Sequence, residues 1–151
     1  MEKKFIADNM LGKMVKWLRI AGIDVAYDGN YTRRGLVEAA RLEDRMILTR
    51  SRKVKYPELL IIKSEWFDAQ LEQFFSCFGH LGEGCFFTRC LICNTILEPA
   101  EKESIRNKVP PRVYLIQDSF NRCPGCERIY WKGSHYKRML KQITDILKKY
   151  K

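Results

Sequence analysis

The sequence predicts an α/β protein, with a mainly parallel sheet flanked by helices, followed by a small second module that ends in a helix. Three observations predict it. Strand and helix patterns alternate through the first 84 residues, four cysteines form two C-x-x-C pairs beyond them, and an amphipathic run closes the chain.

"KFIAD" reads as a short buried strand. Met10 to Ala21 then sets Leu11, Met14, Val15, Leu18 and Ala21 on one helical face and Lys13, Lys16 and Arg19 on another, with Gly22 as the stop. "IDVAYD" alternates as a second strand, and Leu36, Ala39 and Ala40 suit a helix. "MIL" and "LLII" make two further strands, and Glu65 to Phe78 carries Trp66, Phe67, Leu71, Phe74 and Phe75 as a strongly apolar helix. "FGHLGEG" reads as a glycine-rich linker, which puts the boundary near Gly84 and predicts modules of residues 1–84 and 85–151. In the second, "RVYLI" looks strand-like, and Tyr136, Leu140, Ile143, Ile146, Leu147 and Tyr150 follow helical spacing with Ser134 as N-cap.

The 151 residues suffice for one good core or for a small domain with a satellite. No apolar run approaches the roughly 18–20 residues that span a bilayer, and "MEKKFIADNM" lacks a signal-peptide core, so the expected location is the cytoplasm and no membrane partner is expected. The net charge of +10 is uneven: through Gly84 there are 14 Lys and Arg against 12 acids, and from Cys85 onward 14 against 6. A surplus concentrated in one half points to an anionic partner such as nucleic acid, with an ordinary solvated surface as the alternative.

"CLIC" (Cys90, Cys93) and "CPGC" (Cys123, Cys126) are separated by 29 residues. Each pair can form a knuckle whose thiolates bind one metal, and two knuckles together make the four-sulfur cage that zinc favours. Asn94 and Gly125 suit the left-handed turns of such knuckles. Such a site has no open position, so the zinc is expected to be structural and to fold a ribbon. Cys77 and Cys85 have no such partners.

"ERIYWKGSHYKRM" interleaves Tyr130, Trp131, His135 and Tyr136 with Arg128, Lys132, Lys137 and Arg138. Aromatic faces stack on unpaired bases while cations neutralise phosphates, which is the chemistry of RNA loops and single strands. At least one of Tyr130 and Trp131 is expected to pack the ribbon's own core instead. "MILTRSRKV" is the other cationic stretch: a strand end, where ligands gather in open α/β sheets, carries Thr49, Arg50, Ser51, Arg52 and Lys53.

Together "FIADNMLGKMVKWLRIAGIDVAY", "EAARLEDRMILTR", "RCLICNTIL", "VPPRVY" and "FNRCPGCERIYWKGSHYKRM" closely resemble the Mut-seven-C ribonuclease-like family, over nearly the whole chain. The resemblance implies a PIN-like α/β domain followed by a zinc ribbon, with a metal-dependent role in RNA cleavage or processing. PIN-type nucleases hold Mg²⁺ or Mn²⁺ with carboxylates at strand ends. Asp8 matches the family's first acid, with an N-cap as its structural alternative. Two further acidic positions are replaced, by Arg33 and by Ser51.

The leading expectation is therefore a binder of structured RNA, ribosomal or transfer RNA, with a degenerate nuclease site. Arg33, Arg50, Ser51, Arg52 and Lys53 would meet phosphate there, and Arg128, Tyr130, Trp131, Lys132, His135, Lys137 and Arg138 would supply a second surface. An endoribonuclease using Asp8 with Mg²⁺ or Mn²⁺, helped by Asp28, Glu43 or Asp44, is the enzyme alternative. A protein-interaction adaptor, docking a protein partner through the ribbon or the Glu65–Phe78 helix, is the third.

Overall fold

The computed structural model describes residues 2–150, and of Tyr150 the backbone alone; Met1 and Lys151 lie outside it. Four three- or four-residue strands, β1 (Phe5–Ala7), β2 (Val25–Tyr27), β3 (Met46–Thr49) and β4 (Leu59–Ile61), form one parallel sheet in the order β2-β1-β3-β4. In-register pairs such as Ile6 with Ala26 and with Ile47 align the strands, and Thr49 pairs with Ile61. The α/β expectation holds.

Helix α1 (Gly12–Ile20), entered through a 3-10 turn at Asn9–Leu11, and α3 (Phe67–Phe78) cover one face of the sheet, while α2 (Arg33–Glu43) covers the other. Met14, Val15 and Leu18 of α1 meet Phe5, Leu71, Phe74 and Phe75 in the larger core; Leu36 and Ala40 of α2 meet Ile6 and Ile47 in the smaller. Gly22 stops α1 at φ +88°, and a Cβ there would lie 2.5 Å from the Cys85 carbonyl oxygen, so only glycine fits. Arg19, expected on the polar face, is instead 3% exposed, because its guanidinium is taken up by backbone carbonyls.

The second half holds an antiparallel sheet, β5 (Glu98–Ala100), β6 (Phe120–Arg122) and β7 (Ile129–Tyr130), around a minimal core of Ile105, Val109 and Phe120. "RVYLI" is not a strand: α4 spans Pro111–Ile116, with Pro111 in its first turn, where a ring-fixed φ favours helix and the absent N–H has no partner to lose. Helix α5 (Ser134–Leu147) starts one residue earlier than a Ser134 cap requires, with Gly133 at the N-cap and no side-chain capping bond. Its Met139, Ile143 and Leu147 join the larger core beside α1 and α3. No described helix is long and apolar enough to cross a membrane.

Candidate metal centre and nucleic-acid interface

The two C-x-x-C segments fold as near copies. In the first, Cys90 N–H donates to the Thr95 carbonyl and Asn94 N–H to the Cys90 carbonyl; in the second, Cys123 N–H donates to Arg128 and Glu127 N–H to Cys123. The residue after each second cysteine is left-handed, Asn94 at φ 73° and Glu127 at φ 64°. Gly125, expected to take that role, does not; it gives room, since a Cβ there would lie 3.1 Å from Thr95 Oγ1 and 3.4 Å from Cys93 Sγ.

The knuckles bring Cys90, Cys93, Cys123 and Cys126 together, with all four sulfurs within 4.8 Å of one another. Pairs across the knuckles lie at 3.6 Å (Cys90–Cys126) and 3.2 Å (Cys93–Cys123). A tetrahedron with metal–sulfur bonds of about 2.3 Å has edges of about 3.8 Å, so the four sulfurs fit a tetrathiolate metal ion such as zinc. Burial alone would raise the Cys93 thiol, but hydrogen bonds with Thr95, Cys123 and Cys90 bring it down to about 6. Cys126 keeps a backbone hydrogen bond that lowers it, yet burial and its thiol neighbours push it up to about 12. Four thiols so close cannot all ionise without a cation among them.

Tyr130 Oη sits 3.0 Å from Cys90 Sγ and accepts from Leu91 N–H at 3.2 Å. Its hydroxyl thus supports a ligand, and burial with the adjoining Cys90 raises its own ionisation well above normal. The first knuckle is also clasped to the sheet. Arg19 Nη1 donates to the Leu91 and Ile92 carbonyls at 3.1 and 3.0 Å, while Nε and Nη2 donate to Val25 O. Asn94 accepts from Val25 N–H and donates to Asp24, which Arg45 also holds at 2.7 Å. Burial would raise the Asp24 carboxyl, but these two donors keep it below its usual range.

The carboxyl ends of β1 and β3 meet where the strand order reverses, the usual place for a ligand in such sheets. Asp8, 8% exposed, follows β1 there. Its Oδ1 accepts from Met10 N–H at 2.9 Å, and its Oδ2 accepts from the Thr49 hydroxyl and from Arg50 N–H. Three donors thus take most of the lone pairs a metal would need. Among the described residues the only group of three or more potential metal-ligating side chains is the cysteine cluster. Asp28 is exposed and tied into a turn with Asn30 N–H. Glu43 and Asp44 end α2 at the opposite edge of the sheet, beside Arg45 and the start of β3, so they cannot assist Asp8. The residues present do not fit a Mg²⁺ or Mn²⁺ site.

Asp8→Ala should therefore act on stability, costing about 3 kcal/mol in denaturant unfolding, because it orphans three inward-facing donors.

Residues 3–143 match the Mut7-C RNAse domain. The chain belongs to that family. No curated protein and no solved structure matches it.

At the carboxyl edge of its sheet this Mut7-C RNAse domain presents cations. Arg33 opens α2 after the Thr32 cap, and Arg33, Arg52 and Lys53 are exposed with no ion pair among the described residues. Arg50 is half-buried, its Nη2 3.5 Å from the Lys63 carbonyl and its buried Nε without a partner. Ser51 makes a local turn, accepting from Lys53 N–H.

The second surface lies on the ribbon. Two cavities, of about 840 and 610 Å³, share a wall of Leu91, Ile129, Tyr130, Trp131 and His135. Trp131 is half-buried and packs edge-on against Phe120 at 6.4 Å, so it serves the ribbon core while still facing both cavities. Arg128 lines the first and Lys132 the second. Lys137 and Arg138 lie exposed on α5. Sequence reasoning missed Lys16 and Lys108, which α1 and the β5–α4 connection bring to the first cavity, and Phe87 in the second. No local spacing links these positions to the C-terminal motif.

Of the adaptor surface, Phe67 stacks on Trp17 at 6.1 Å with Lys13 over its ring, and Leu71, Phe74 and Phe75 are buried in the core. Trp66 alone stands out, 68% exposed.

Proposed function

We propose that the protein binds structured RNA, ribosomal or transfer RNA, through a degenerate nuclease edge and a zinc-held ribbon, and that it works in the cytoplasm. Residues 1–84 carry the first surface and 85–151 the second. The observation that carries this reading is the state of Asp8: three protein donors engage its carboxylate, Arg33 and Ser51 stand where further acids would be needed, and Arg50, Arg52 and Lys53 flank Ser51 in sequence. A pocket that would bind a cation has become one that attracts phosphate. Zinc fills the tetrathiolate because four close cysteine sulfurs with no open position are the donor set it prefers.

Binding of a transfer RNA transcript, measured from 50 to 200 mM salt, tests it. Affinity should fall steeply, about a thousandfold if six phosphates are contacted, and each of Arg33→Ala, Arg52→Ala and Lys53→Ala should flatten the log–log slope by about one. With Mn²⁺ present the RNA should stay intact, for wild type and Asp8→Asn alike. Mn²⁺-dependent cleavage that disappears in Asp8→Asn would instead establish the endoribonuclease, and salt-independent binding would remove the phosphate contacts.

A further inference from the structure

Phe87 is the bulkiest residue held in left-handed backbone, at φ 58°, a conformation that side chains of its size rarely adopt. Its N–H is fixed on the Ile20 carbonyl at 2.9 Å, and its ring lies 4.2 Å, centroid to centroid, from that of Tyr136 at the start of α5. The strained backbone thus sets an aromatic ring on the wall of the 610 Å³ cavity, where it also packs against the rim of the larger core. Trp131 faces the same space from β7's end, and Lys132 sits over the Tyr136 ring at 5.9 Å.

The cavity also has a polar wall. Asn121 on β6 lines it, and its side-chain amide makes no hydrogen bond within the described protein. A free amide offers one acceptor and two donors, which is what the edge of a base can meet. On the far side of Trp131 the neighbouring cavity carries Lys16, Lys108 and Arg128 against the single acid Glu127, and none of these cations is in an ion pair among the described residues. Aromatic faces, an unengaged amide and, one wall away, unpaired cations match the parts of a nucleotide chain: a flat base, its polar edge and its phosphates. The volume lies within the roughly 300–1,000 Å³ range of small-ligand pockets.

We infer that this cavity takes one unstacked base of a single-stranded stretch of RNA, stacked against Tyr136 and Trp131, with adjoining phosphates on Lys132 and on the Lys16–Lys108–Arg128 cluster. The inference rests on the RNA-binding reading and says which part of the RNA its ribbon surface takes, apart from the carboxyl edge of the sheet. Bases locked in a duplex cannot enter, so the ribbon selects loops and tails within structured RNA.

The test uses the zinc-loaded full chain at 50 mM salt, a fluorescein-labelled unstructured 12-nucleotide RNA, and a blunt-ended, fully paired duplex with the same label. The single strand should bind more tightly than the duplex. Tyr136→Ala should weaken the single strand by about tenfold, and Tyr136→Phe should restore it, since loss of one stacked base costs roughly 5- to 100-fold. Should Tyr136→Ala unfold the protein, crosslinking answers on wild type: the single strand carrying 4-thiouridine should attach within Phe87–Arg89 or Trp131–Tyr136. If single strand and duplex bind alike, Tyr136→Ala changes nothing, or the crosslinks lie elsewhere, the cavity assignment is overturned while RNA binding stands. If neither RNA binds, both fall together.

Discussion

Cys123→Ser should cost the protein its metal and much of its fold. Cys123 is fully buried, 3.2 Å from Cys93 across the knuckles, and its sulfur also receives the Cys126 N–H. A serine hydroxyl stays protonated at neutral pH and is too hard and too short a ligand to replace a thiolate in this cage. The module around it has little else to hold it, with only Ile105, Val109 and Phe120 in its buried core beneath three strands of two or three residues. Zinc contributes about 10–16 kcal/mol in small modules of this kind, so even partial loss should exceed about 5 kcal/mol. For a chain of this length that is a fall in melting temperature of roughly 10–20 °C. Elemental analysis should read close to one zinc per wild-type chain and far less for the variant, and a chelator should reproduce the melting shift on wild type. Cys77→Ser, outside the cluster and exposed, should change neither. Full metal content and unchanged melting in Cys123→Ser would mean that the metal, if any, is held elsewhere.

The cysteine cage was legible because its chemistry is local. Four residues of each knuckle fix the turn, and only the meeting of the two had to be supplied by the fold. The parallel sheet was legible for the same reason, since each strand and helix carries its own period. The misreadings share a different cause. "RVYLI" is five residues with an apolar bias, too few for periodicity to separate strand from helix, and the Pro110–Pro111 start decides in favour of α4. Glu43 and Asp44 are near Ser51 in sequence, but the eleven-residue α2 carries them about 16 Å from the edge where Asp8 lies. The engagement of Asp8 depends on Thr49 and Arg50, some forty residues away, and no spacing within one segment announces it. Lys16 and Lys108 reach the ribbon cavity from elements on either side of the first cysteine pair, so their grouping appears only in three dimensions.

Arg19 is the residue for which this matters most, because a helical wheel makes it an ordinary surface cation and the fold makes it a clasp. Its fork donates to Val25 in the edge strand and to Leu91 and Ile92 inside the first knuckle, tying residues that sit more than seventy positions from it. Burial weakens its hold on the proton, and the neighbouring Cys90, Cys93 and Asp24 act against that loss. A zinc tetrathiolate carries two net negative charges, so the guanidinium also balances the centre it supports. Arg19→Met fills similar space but leaves three carbonyls without their donor. It should cost about 4 kcal/mol, at about 1–3 kcal/mol for each buried acceptor left unpaired. Arg19→Lys should recover little, since one ammonium cannot span three carbonyls in the geometry of the fork. The same substitution should speed the transfer of zinc to a competing chelator by roughly 10- to 100-fold, the usual effect of removing a support behind a metal ligand. Arg41→Met, on the exposed side of α2, should do neither. Wild-type unfolding and wild-type zinc transfer in Arg19→Met would mean that α5 packing and the Asn94 bonds to Val25 and Asp24 hold the two halves without it. With the clasp intact, the parallel sheet and the zinc-held ribbon should melt in one transition, and in Arg19→Met they should separate into two.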